Sequence, residues 1–314
     1  MPRYILFRIL STLPVMIVVA AFVFLMLRLS PGDPASVIAG DYATAEDVAR
    51  IREKLGLNDP ILVQFVKWIG SLLQGDLGTS IFSNLPVTTL IGQRLEPTLL
   101  LGLTTILFAV FVAVPMGTLA AWKSGSWLDR FVMLFSVGGF SIPVFVLGYI
   151  LIYVLAMQLK WLPVQGYRSP FEHGLGPFLY HITLPTMTLS VIFIALIARM
   201  TRASVMETLQ EDYVRTARAK GQSEFKILMR HGLRNAAVPI VTVIGIGIAL
   251  LIGGVVVTES VYNIPGLGRL VLDAVLARDY PVIQGLILFF SFVYVVINLL
   301  IDLTYPLLDP RIKY

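Results

Sequence analysis

The chain has 314 residues, 57% of them hydrophobic and only 14% charged, with a formal net charge of +5 and no cysteine. A soluble domain carries about 25% charged residues, so the composition points to a bilayer as solvent and excludes disulfide and thiol chemistry. The positive charge is read as orientation of a membrane protein rather than as nucleic-acid binding.

In chain order, six runs lack Asp, Glu, Lys and Arg: 9–27, 97–122, 131–159, 182–198, 235–258 and 280–301. Each is near or above the ~17–25 residues that a spanning helix needs. The sequence therefore predicts an all-α integral membrane protein with six transmembrane helices, in a single domain over 1–314. The first run has basic flanks at Arg3 and Arg8. It is longer than the ~7–15 residues of a signal-peptide core, and no small-residue cleavage site follows, so it is read as a retained helix. Leaving aside Arg28 at the end of the first run, fourteen Lys and Arg fall on the side of the N-terminus and nine on the other side. That bias predicts both termini in the cytoplasm.

Between the first two runs, residues 30–96 are too long and too patterned for a linker and predict a small folded outer element. "SPGDP" ends the first helix. Thr44 with Asp47 three residues on suggests a helix-capping pair. The stretch 60–73 is amphipathic, and "GDLGTS" is a turn. Five basic and eight acidic residues make attraction of this segment to anionic lipid unfavourable. Pro115 and Pro143 lie inside predicted spans, where they mark kinks or gaps facing the bundle; Ser141, Pro143 and Phe145 are the candidate pathway or gate residues.

Chemical motifs are absent. "GTLAAWKS" at 117–124 has the Lys-Ser of a phosphate loop, but Trp122 replaces its second glycine. "GIGIA" at 245–249 lies inside a membrane run and reads as helix packing through small residues. His173, His181 and His231 are scattered, so no metal site is expected. Asn298 and Asp302 share a helix face and read as a structural pair, because a proton relay would need deeper charged partners.

The densest charge falls at 199–235, with eight basic and four acidic residues. Val205, Leu209 and Tyr213 share one helical face. Gly221 interrupts, and Phe225, Leu228, Met229, Gly232 and Leu233 form a second apolar stripe. The pattern predicts helix, glycine turn, helix. Such a basic amphipathic pair suits a lipid surface or a protein partner equally well.

Here the sequence resembles a known family. "RTARAKG" followed by "MRHGLRNAAVP" is similar to the cytoplasmic E-A-A-type loop of ABC importer permease subunits. "SPGDPASVIAG", "LGLNDPILVQF", "QGDLGTS", "RLEPTLLLG", "VTESVYNIPGLGRL", "ARDYPVIQG" and "DLTYPLLDPRIKY" extend the resemblance over almost the whole chain. More narrowly, they resemble the peptide/nickel group with its dipeptide, oligopeptide and glutathione permeases. The general motif's E-A-A falls on Arg215, Thr216 and Ala217 and its glycine on Gly221. Its downstream I-x-L-P falls on His231, Leu233 and Arg234. Only Ala217, Gly221 and Leu233 keep the general identity.

The resemblance implies a type I ABC importer permease-like fold in a bacterial inner membrane. It implies that Tyr213, Arg215, Thr216, Ala217, Ala219, Lys220, Gly221 and Glu224 couple the loop to an ATPase. It also implies a second homologous permease subunit, two ATP-binding subunits that use ATP and Mg, and an extracytoplasmic solute-binding protein. This chain would itself be no enzyme and would bind no cofactor and no nucleic acid. The binding protein would meet outer residues Asp33, Glu46, Asp47 and Glu259, with Asp41 and Asp59 as further acidic surface. The expected cargo is a dipeptide, oligopeptide or glutathione; nickel or another solute, or a membrane scaffold that recruits a cytosolic partner, are the alternatives.

Overall fold

The computed structural model describes residues 2–28, 34–40, 43–54 and 56–308, and these are helical with short connections. The helices are α1 (Pro2–Arg28), α2 (Pro34–Ala39), α3 (Ala45–Lys54), α4 (Ile61–Leu73), α5 (Val87–Trp122), α6 (Trp127–Ser141) and α7 (Val144–Leu151). Then follow α8 (Pro170–His173), α9 (Leu175–Leu209), α10 (Asp212–Ala219), α11 (Glu224–Lys226), α12 (Ala237–Val261), α13 (Leu267–Ala277) and α14 (Tyr280–Leu308). Two π-helical stretches, Ile152–Gln158 and Ile227–Leu233, extend α7 and α11. Among the described residues, four helices are long and apolar enough to cross a membrane: α5, α9, α12 and the part of α14 over Tyr280–Asp302. A fifth crossing results if α6 and the α7 stretch count as one, and Leu10–Met26 of α1 is a shorter apolar stretch.

Contacts divide the chain into two compact units, residues 1–96 with 269–296 and residues 97–268 with 297–314. In the first, the predicted cap is present. The Thr44 hydroxyl donates to Asp47 Oδ2 at 2.7 Å and accepts from the Asp47 N–H at 3.2 Å, the reciprocal arrangement that satisfies free N–H groups at a helix start. The predicted "GDLGTS" turn is present too. Ser80 Oγ donates to Asp279 at 2.5 Å and the Ile81 N–H donates to its other oxygen at 3.3 Å, so one buried carboxylate pins the turn to the start of α14. The Gln284 amide donates to the Val23 carbonyl at 2.9 Å, joining α14 to α1.

The second unit is organised around α9, whose buried residues include Leu184, Leu189, Phe193, Ile197 and Val205. Its neighbours come close because they present glycine where they touch it. A Cβ on Gly117 of α5 would stand 2.5 Å from the Ala198 carbonyl, and one on Gly139 of α6 would stand 3.0 Å from the Ala195 methyl. The "GIGIA" glycines serve packing, as predicted: Gly245 faces Ile301 and Gly247 faces Phe193. Small residues at helix crossings increase dispersion contact in a solvent that supplies no hydrophobic drive.

The break expected at Pro143 is present, and it splits the predicted span: residues 131–159 are not one straight helix. α6 and α7 meet at 105°. Pro143 has no N–H to continue the ladder, and it forces Ile142 into an extended conformation (φ −93°, ψ 121°) that no α-helix accommodates. Pro115, where a kink or gap was also expected, opens no gap: α5 runs unbroken through Pro97 and Pro115, and α9 through Pro185.

Glu259 departs from its expected place. It was expected as an outer contact, but it is fully buried in α12. Thr98 Oγ1 donates to Glu259 Oε1 at 2.6 Å and itself accepts the Leu267 N–H at 2.7 Å. The turn after α12 folds over the carboxylate, and a Cβ on Gly266 would occupy the carboxylate's own position. A buried carboxyl is tolerated when it is hydrogen-bonded, and here the hydrogen bonds lock a turn. Gly266→Ala should therefore destabilise the detergent-solubilised protein by about 1–3 kcal/mol, the usual cost of overpacking. In a Glu259→Ala background the same change should cost almost nothing, because the overlapping group is gone. Thermal unfolding of the four proteins checks this; equal Gly266→Ala shifts in both backgrounds would refute the contact.

Candidate functional site: a charged helical loop at the end of α9

The charged stretch is folded, as helix, glycine turn and helix. α9 continues to Leu209, α10 follows at once, and Gly221 turns the chain with φ +77° before α11 begins. A side chain in that backbone conformation is strained, which accounts for glycine there. Beneath the turn is a small core. Val214, Ala217 and Ile227 pack against Leu209, and Val205, Leu228, Ala236 and Ile240 form a second cluster with Leu209 and Leu233.

Polar contacts close the turn. Arg218 grips Glu224 with two hydrogen bonds, 2.6 Å and 3.0 Å, across Gly221. This fork holds the Glu224 carboxyl below the usual carboxylate range and raises Arg218. A depressed carboxyl stabilises above its unfolded value and loses that contribution only as pH falls through the lowered folded value. The pair is thus fully charged at neutral pH. The His231 ring meets Gln222 at 3.0 Å, and the Asn235 amide donates to the Tyr213 hydroxyl at 3.0 Å.

Of the predicted coupling residues, Tyr213, Arg215, Thr216, Ala219, Lys220, Gly221 and Glu224 are exposed together on this loop. Ala217 is not. It is 6% exposed and faces the small core, since α10 turns Val214 and Ala217 inward. The predicted second stripe also divides. Leu228 and Gly232 are covered, whereas Phe225 (66% exposed) and Met229 (44%) stand free. The cause is the winding: Ile227–Leu233 is π-helical, and a 3.6-residue period does not describe it. The loop therefore presents two apolar knobs, Phe225 and Met229, amid Arg215, Lys220, Lys226 and Arg230.

Elsewhere, Ser141, Pro143 and Phe145 sit at the break between α6 and α7, and all three are exposed. The Ser141 hydroxyl returns to the Val137 carbonyl at 2.9 Å and finishes the last turn of α6. Glu46 is exposed on α3. Asp47 is engaged by Thr44 and Arg50, and the Thr44 hydrogen bonds chiefly lower its carboxyl. Asp33 lies outside the described residues.

One further pair was not anticipated. Arg202, on the last third of α9, reaches both oxygens of buried Asp129 at the start of α6, with Nη2 2.8 Å from Oδ2. The Gly125 N–H adds 2.9 Å to the same carboxylate. In the sequence, only an acid in the first turn after Ser126 hinted at this pair, and that reads as an ordinary cap.

Comparison with known proteins decides the family. The family described as binding-protein-dependent transport system inner membrane component matches residues 113–314, and its N-terminal companion matches residues 1–86. The chain belongs to this family of transport-system inner membrane components. It is 57% identical over 311 residues to a probable peptide ABC transporter permease of Sinorhizobium fredii, with 99% of both chains covered. It is 43% identical over 314 residues to the glutathione transport system permease of Escherichia coli K12, with both chains fully covered. Among solved structures, the methionine ABC transporter in inward-facing conformations is similar in fold, with TM-score 0.57 and 17% identity over 71% of this chain and 97% of that one. This inner membrane component is thus an ABC importer permease.

In this permease, Gly221→Val should strain the turn by about 1 kcal/mol or more. Faster amide exchange across α10, with membrane insertion unchanged, is the expected result. Unchanged exchange in a well-expressed variant would mean that the turn does not need glycine.

Proposed function

We propose that the chain is one of two permease subunits of an ATP-driven importer of a peptide-like solute, with six spans and both termini cytoplasmic. The observation that carries this reading is the folded loop of α10 and α11 with Phe225 and Met229 uncovered. Two apolar anchors ringed by cations suit the groove of a protein partner. That partner would be an ATP-binding subunit, one of two that use ATP and Mg, while this chain would hydrolyse nothing itself. An extracytoplasmic solute-binding protein would deliver the cargo to the other face, with Glu46 among its contacts.

The mechanism follows from the second unit. Movement of the docked loop acts on α9, because Val214, Ala217 and Ile227 are packed against its end. From α9 it passes to α6 through the Arg202–Asp129 pair and the Gly139–Ala195 approach. α6 ends at the Pro143 break, so the break at Ser141, Pro143 and Phe145 is the natural gate. Transport is then a shift of population between two packings of the same helices. A dipeptide, an oligopeptide or glutathione is the cargo favoured by the named relatives, which cover the full chain.

Two experiments test this. Cysteines can be placed singly at Arg215, Phe225 and Ala217 in a chain that has none of its own. Arg215→Cys and Phe225→Cys should crosslink to the ATP-binding subunit, and buried Ala217→Cys should not. Failure of both exposed positions, with activity that depends on anionic lipid and on Lys226 and Arg230, would instead place the loop on the bilayer. Uptake of labelled dipeptides and glutathione by vesicles holding the complete complex checks the cargo; transport of nickel but of neither peptide would overturn that part.

A further inference from the structure

α4 has three faces. Phe65, Trp68, Ile69 and Leu72 pack inward: Phe24 of α1 meets the Phe65 ring at 5.1 Å and the Trp68 ring at 5.5 Å, and Ala20, Val23 and Leu288 complete the cluster. Gln64, Lys67 and Ser71 form a polar stripe along a cleft of about 800 Å³. There Lys67 pairs with Asp59 at 2.6 Å and Gln64 donates to the Asp59 carbonyl at 2.7 Å. The third face is Leu62 (75% exposed), Val66 (68%) and Leu73 (85%), and it contains no polar side chain.

The depth of this helix can be read from two others in the same unit. Helical residues rise ~1.5 Å each. On α1, Phe24 and Ala20 lie four and eight residues before Arg28, which is ~6 Å and ~12 Å along the helix. On α14, Leu288 lies nine residues after Asp279, roughly 13 Å. Both helices have only uncharged residues over these intervals. α4 thus packs below the charged ends of both helices. Opposite α4, α1 exposes Val18 and Phe22, a face suited to acyl chains.

We propose that α4 is embedded in the leaflet at the C-terminal end of α1, with Leu62, Val66 and Leu73 against acyl chains and its polar stripe facing the aqueous cleft. A helix with one apolar and one polar stripe beside a spanning segment lies in the membrane interface, and Trp68 and Lys67 are residue types that anchor such a helix. The insertion is apolar rather than electrostatic: Lys67 is neutralised by Asp59, so anionic lipid adds nothing.

The inference rests on α1 crossing the bilayer, and a separate control reads that. Nitroxide labels are placed one at a time by Leu62→Cys, Val66→Cys and Leu73→Cys in the full-length permease complex, in nanodiscs of phosphatidylethanolamine and phosphatidylglycerol. Collision rates are measured with oxygen, which concentrates in acyl chains, and with a water-soluble nickel chelate. The three positions should give an oxygen-to-nickel ratio several-fold above that of Glu46→Cys and close to that of Val18→Cys. The ratio should not change with salt or on adding the solute-binding protein. A ratio like that of Glu46→Cys would place the face in water. Shielding from both reagents would place it against a protein subunit, and immobilisation on adding the binding protein would make it a docking surface; each overturns the proposal. Nickel access at Val18→Cys would remove the α1 span and the inference with it.

Discussion

Hydrocarbon offers no hydrogen bonds, so every backbone group in the spans must be satisfied within the protein. That constraint accounts for the all-helical architecture and also for how hydroxyls are handled. Thr118, Ser136, Thr188, Thr242 and Thr258 each turn back to a carbonyl four residues earlier, at 2.7–3.0 Å. These side chains serve as small packing groups that add no unsatisfied donor. Where an ionisable side chain enters the buried interior, it has a partner: Arg202 holds Asp129, and Thr98 donates to Glu259. Removing one partner of a buried pair costs far more than the pair contributes, so these contacts fix which helices remain neighbours.

Much of this was legible in the sequence, because membrane spans and glycine turns leave local signals. The cap at Thr44, the turn at 75–80, the break at Pro143 and the turn at Gly221 all follow from residue types at short spacing. What could not be read depends on long-range encounters or unusual winding. Glu259 follows an apolar run and reads as the first outer residue; only the approach of Thr98, 161 positions away, makes it interior. Phe225 and Leu228 read as one stripe, and a π-helical stretch puts them on different faces. α4 reads as simply amphipathic, while the folded chain separates its apolar residues into a packed face and a free one.

The loop and the gate candidates also differ in kind. The loop is held by the Val214, Ala217 and Ile227 core, by a second cluster shared with Ala121 of α5, and by a charged fork. The region around Pro143 lacks helical hydrogen bonds across the break. The proposed coupling would run from a packed loop to a bend without helical hydrogen bonds, a pairing suited to a hinged transition.

The length of α9 has a consequence for amplitude. At ~1.5 Å per residue, its 35 residues form a rod about 52 Å long, against a hydrocarbon thickness of ~30 Å. A rotation of ~5° about one end would carry the other end through about 4–5 Å, close to the ~5.4 Å rise of a helical turn. No hydrogen bond inside the rod need change for that displacement to occur. A geometric gain of this size lets a small angular change on one side of the membrane become a side-chain-sized opening on the other.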